Sequence, residues 1–77
     1  MIKKRAERIS DKTIAFLVTE RKRQGISHEK LAEMIGMHRS AISLIESKKR
    51  RPTLFVCIKI ALALNLNLSR ILEEAEL

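Results

Sequence analysis

His28–Ser47, HEKLAEMIGMHRSAISLIES, has the apolar spacing of two short helices crossing through a tight turn. Leu31, Ala32 and Ile35 fall at helical spacing on the first helix, and Ile42 and Ile45 resume the pattern on the second. Ala32 is small enough to let another helix pass close. Gly36 can take the positive φ that ends a helix and turns the chain without a Cβ clash. Met37 then opens the next segment on the buried side, and Ile42 and Ile45 fill the crotch between the two helices.

Two helices so joined form a helix-turn-helix, a motif whose second helix enters the DNA major groove. The rest of the chain agrees. Seventy-seven residues with a formal net charge of +7 make one small domain suited to a polyanion. The charge is uneven. Residues 1–26 hold eight Lys/Arg against three acids and residues 27–52 six against three, but residues 53–77 hold two against three. The first two thirds therefore face the anion, and the last third faces something else.

One cysteine, Cys57, cannot close an internal disulfide, which fits a reducing compartment. Between Val56 and Ile58 it reads as a small buried hydrophobe rather than a nucleophile. The longest apolar run, Leu54–Leu64, is interrupted by Lys59 and is too short to span a bilayer. No apolar run follows the basic amino terminus, so no secretory signal is expected, and the chain reads as a soluble cytoplasmic protein. Enzyme chemistry finds little support. His28 and His38 lie on different helices with no thiol beside them, the acids are scattered, and two glycines make no phosphate-cradling loop. One Cys and two His fall short of a zinc set, and no cofactor or metal is expected.

Helical patterning predicts an all-α, five-helix domain over residues 10–77. Helix 1 is expected from about Ser10 to Arg23, with Ile14, Leu17, Val18 and Arg21 on one stripe. Ser27 should cap helix 2, at about 28–35, and helix 3 should cover about 38–46. Residues 47–52, SKKRRP, form a polar loop before helix 4, Thr53 to about Asn65, and helix 5 starts near Leu68 or Ser69. Residues 1–9 read either as a basic arm or as an extension of helix 1. Leu54, Cys57, Ala61 and Leu64 form a stripe on helix 4 expected to meet the core. Phe55, Ile58 and Leu62 form a second stripe, either a dimer surface together with helix 5 or a face covered by residues 1–9 folding back.

Linked motifs then carry a resemblance. They are Arg21 four residues before Gly25, I-S-x-E-x-L-A from Ile26, and G-M-x-R-S-x-I-S-x-I-E from Gly36. K-K-R-R-P-T follows from Lys48, then K-I-A-x-A-L-N-L from Lys59, then I-L at Ile71. From about Leu17 to Leu72 the chain resembles the phage-repressor and Cro-like, or Xre-type, helix-turn-helix regulators. The resemblance implies a compact five-helix, lambda-repressor-like domain (motif about 27–47) that acts as a homodimer on a palindromic site in double-stranded DNA. Three positions depart from it. His28 stands where many relatives have Gln. Lys48 stands where many have Gly, so helix 3 is expected to end without an easy left-handed cap. Phe55, Val56, Ile58 and Leu62 stand on the outer face of helix 4 where most relatives are polar.

Carried onto this sequence, the resemblance implies base contacts from His38, Arg39, Ser40, Ser43 and Leu44. Arg39 suits guanine O6 and N7, worth about 1–3 kcal/mol of discrimination, or else a phosphate. Leu44 suits a thymine methyl, or else ordinary rim packing. Ser27, His28, Lys48, Lys49, Arg50 and Arg51 would grip the sugar-phosphate backbone, which fixes register without reading sequence. His28 reads alternatively as a capping or solvated imidazole. Lys3, Lys4, Arg5 and Arg8 read as a groove-following arm or a solvated charge run. Arg21 and Glu46 are implied to form a partly buried ion pair that orients helix 3. The function so implied is a sequence-specific transcriptional regulator, a repressor or a small autoregulatory controller. A module of another class is the alternative, an antitoxin whose apolar face covers a toxin while it binds its own promoter. The neighbouring gene discriminates: a restriction or methylation gene favours the controller, a toxin-like gene the antitoxin, phage genes a repressor.

Overall fold

The computed structural model describes residues 1–77 as five helices without strands. They are α1 (Ile2–Arg23), α2 (His28–Ile35), α3 (Arg39–Glu46), α4 (Leu54–Ala63) and α5 (Leu68–Glu76). Helix α1 packs on α3 and α5, α2 on α3 and α4, and α4 on α5. Leu17, Leu31, Ala32, Ile35, Ile42, Ile60, Leu64 and Ile71 form one core, in which Leu31, Ile42 and Leu64 are the most completely enclosed. Burying each of those three stabilises the fold by about 1.5–3 kcal/mol. Leu31 and Ala32 on α2 meet Ile42 on α3 within this core, so the apolar spacing that marks the motif also fixes the angle at which α3 leaves the body.

The helix ends explain how such short elements hold. Ser27 Oγ accepts from Lys30 N at 3.0 Å, Thr53 Oγ1 from Val56 N at 3.1 Å, and Asn67 Oδ1 from Ser69 N at 3.1 Å. Each satisfies a donor in a first turn that has no partner within the helix. Helix α3 begins at His38 with no side-chain cap. Four helices end through one left-handed residue, followed by an amide that reaches back five positions. The residues are Gly25, Gly36, Lys48 and Asn65. The bonds are Ile26 N to Arg21 O, Met37 N to Ala32 O, Lys49 N to Leu44 O and Leu66 N to Ala61 O, at 2.8–3.0 Å.

Lys48 overturns one expectation. It stands where relatives have glycine, yet it takes the left-handed conformation at φ 65° and completes the same cap. A non-glycine residue there costs about 1 kcal/mol or more. The amides of Lys49 and Arg50 both bond the Leu44 carbonyl, which holds the turn despite that cost.

Helix α1 starts at Ile2, so residues 2–9 extend helix 1, one of the two readings open for them. Two other expectations change. Leu54 is 66% exposed. It is the first residue of α4 and lies outside the core, where Ile60 takes a place instead. Cys57 is only half-buried, and burial pushes its thiol above the ordinary value, which makes it a poor nucleophile. Lys59, the charge inside the apolar run, donates from Nζ to the Ile35 carbonyl at 2.9 Å and lies 4.9 Å from the Phe55 ring centre. A cation thus sits at the negative end of α2.

Candidate nucleic-acid interface

Ile42 and Ile45 are buried on the inner side of α3 and fix its rotation. His38, Arg39, Ser40 and Ser43 are exposed on the outer side, and Leu44 is half-buried at the margin. Arg39, Ser40 and Ser43 line an open cleft of about 360 Å³ together with His28. The structure thus sets one expected backbone-gripping residue beside the expected base-reading set, and no hydrophobic residue lines the cleft.

Beneath that surface lies a charged network. Arg21 donates from Nε to Glu46 Oε2 at 2.7 Å, from Nη2 to Glu46 Oε1 at 2.8 Å, and from Nη1 to the Ile26 carbonyl at 2.7 Å. Such a two-pronged pairing sets both distance and angle. His28 Nε2 lies 2.8 Å from Glu46 Oε1. An ionised carboxylate only accepts, so Nε2 is the protonated nitrogen. Burial alone would raise the Glu46 pKa, but hydrogen bonds and charge from Arg21 and His28 outweigh it and hold the carboxyl below its ordinary range. One acid at the last turn of α3 therefore ties together α1, the α1–α2 turn, and the first turn of α2.

That three-way tie was not legible in the sequence. In the sequence His28 reads only as a backbone contact or a capping or solvated ring, because nothing in linear spacing sets the first turn of α2 over the last turn of α3. The one signal was the His itself, at a position that many relatives give to Gln.

The basic loop follows directly from α3. Lys48, Lys49 and Arg50 are exposed and make no ion pair, whereas Arg51 reaches Glu7 on α1 at 3.3 Å. Ser27 also lies at the surface, its oxygen occupied by the cap but its hydroxyl proton free to donate. The profile of the helix-turn-helix family matches residues 17–71, the span that contains the core, the network and the exposed side of α3. The chain belongs to the Xre-type helix-turn-helix family. It is also similar to control protein C.SmaI of Serratia marcescens, 43% identical over 47 residues, a match that covers 61% of this chain and 56% of that protein. No solved structure matches.

Within this helix-turn-helix domain the outer side of α4 stays uncovered. Phe55 is 68% and Leu62 72% exposed, with Ile58 less so. The amino-terminal turns of α1 do not fold over them. Ala6 and Ile9 instead line a groove with Pro52, Cys57 and Leu72, on another side of α4. Met34 on α2 continues the apolar surface, lining a shallow groove with Lys59, Leu62 and Ala63. No group of His, Cys, Asp and Glu is placed to hold a metal ion. No single helix is long and apolar enough to cross a membrane.

Proposed function

We propose that this regulator reads a palindromic operator in double-stranded DNA as a homodimer, in the manner of a small autoregulatory controller. The observation that carries the reading is the outer side of α3. Arg39, Ser40 and Ser43 stand clear of the body, while buried Ile42, Ile45 and the Glu46 network hold the helix that bears them. Arg39 is assigned to guanine, Ser40 and Ser43 to neighbouring base edges, His38 to the groove wall, and Leu44 to a thymine methyl at the margin.

Lys48, Lys49 and Arg50 supply backbone contacts on one side of α3, with Arg51 at the edge of that set. Ser27 and the free face of His28 supply them on the other. One such motif reads only a few base pairs, and a dyad doubles the site. Phe55, Ile58 and Leu62, with α5, are the surface assigned to that dyad, since a monomer would leave them wet. The similarity to a protein called a control protein favours the controller among the regulator readings. The same apolar surface would serve an antitoxin by covering a toxin, and co-purification of a stoichiometric second protein would favour that module.

Salt titration on duplex DNA tests the reading. Neutralising about six to eight phosphates per dimer gives a slope of log K against log salt near −5 to −7. A slope near zero removes the nucleic-acid reading.

A further inference from the structure

Four cations crowd the first two turns of α1, and the fold gives them a definite place. Lys3, Lys4, Arg5 and Arg8 are all exposed and none makes an ion pair, whereas Glu7 among them is paired to Arg51 of the basic loop at 3.3 Å. Residues three and four apart share a helix face, so Lys3 and Lys4 stand on the face that Glu7 turns toward the loop. With a rise of about 1.5 Å per residue they lie roughly 5–6 Å farther along that ridge. The ridge is helical rather than a loose arm, since α1 begins at Ile2 and half-buried Ile9 and Ser10 line a groove with Pro52 and Cys57. A flexible arm would not hold the tie to Arg51.

We propose that the amino-terminal turns of α1 form a second backbone-gripping ridge, in which Lys3 and Lys4 hold DNA phosphates contiguous with those held by the loop at residues 48–51. The proposal rests on the DNA-binding reading above and adds to it a partner for the ridge. Each phosphate of one strand advances about 3.4 Å along the duplex axis, and Lys3 and Lys4 supply two cations, so the ridge meets one or at most two phosphates beyond the last one the loop reaches. The Glu7 carboxylate is offset by Arg51 at 3.3 Å, so it opposes the phosphates less than an unpaired acid would. The contact carries no base information, so its contribution is the same on every sequence.

Two readouts on a duplex carrying the operator selected from random DNA test it. Phosphate ethylation interference should show one or two phosphates per half-site that matter to the wild type. These should become silent in the double variant Lys3→Ala, Lys4→Ala and be restored in Lys3→Arg, Lys4→Arg. The salt slope of the Ala variant should be flatter by about 0.9–1.8 per protomer, or about 1.8–3.6 for a dimer on its operator, a roughly 10- to 150-fold difference in how much affinity is lost between 50 and 200 mM salt. Identical interference patterns and slopes for wild type and the Ala variant would mean a solvated charge run and would overturn the ridge. Failure of the wild type to bind any duplex would strike the DNA reading itself, a result distinct from intact binding without the extra phosphates.

Discussion

Glu46→Gln removes the charge at the centre of the network while nearly preserving its shape. The Arg21 and Glu46 side chains are 9% and 15% exposed, so water screens them little. The substitution leaves the Arg21 guanidinium with the Ile26 carbonyl as its remaining strong acceptor. Breaking one side of a fully buried pair costs about 3–5 kcal/mol. The partial exposure and the retained bond to Ile26 bring the expected cost here to about 2–3 kcal/mol. For a domain whose total stability is about 4–12 kcal/mol, that is a drop in Tm of roughly 10–20 °C.

The pH dependence has a definite sign. Glu46 has its pKa lowered in the folded state from an ordinary 4.5. Its contribution is therefore complete above that value and lost as the pH falls through the folded-state pKa. Urea unfolding followed by helical circular dichroism should give the full gap between wild type and variant at pH 7, closing progressively below about pH 4.5. A gap at pH 7 within the about 0.5 kcal/mol of ordinary surface substitutions, or one that does not change with pH, would refute the reasoning.

Arg39→Ala should relax preference at one base pair in each half-site by about 1–3 kcal/mol with folding nearly unchanged; equal losses on specific and random duplexes would assign Arg39 to a phosphate. Phe55→Glu should yield folded monomers with weak, nonspecific DNA binding, since it places a charge in the assigned interface, and sedimentation beside a wild type at tens of micromolar decides whether that interface exists. Lys48→Gly should raise stability by about 0.5–1 kcal/mol by relieving the left-handed strain while weakening binding to all sequences alike, and thermal melting with a salt titration separates the two effects.

The limits of α2 are readable in the sequence because capping and turning residues act locally. Ser27 accepts from its own first turn, and Gly36 turns the chain with no help from elsewhere. What could not be read depends on neighbours distant in sequence. Leu54 has the right periodicity for the core, yet as the first residue of α4 it stays exposed. Lys48 looked unfit for a left-handed cap, yet two amides held by the Leu44 carbonyl enforce that conformation. Residues 1–9 read equally as an arm or as an extension of helix 1, and the groove that Ala6 and Ile9 share with Pro52 appears only when the loop is in place. In the interface, the type of each exposed residue on α3 could be read. The turn of His28 toward Glu46 could not, since it requires the crossing of two helices in space.

The central claim is that an exposed face of α3, held by the Glu46 network, reads one base sequence twice through a dyad. Selection of bound sites from random duplex DNA tests it most directly. The account predicts enrichment of a single palindrome whose half-site centres lie about one helical turn apart, roughly 10 base pairs, and loss of one conserved base pair per half-site when the selection is repeated with Arg39→Ala. Enrichment of no sequence over the starting pool, or of a single unrepeated half-site, would contradict it.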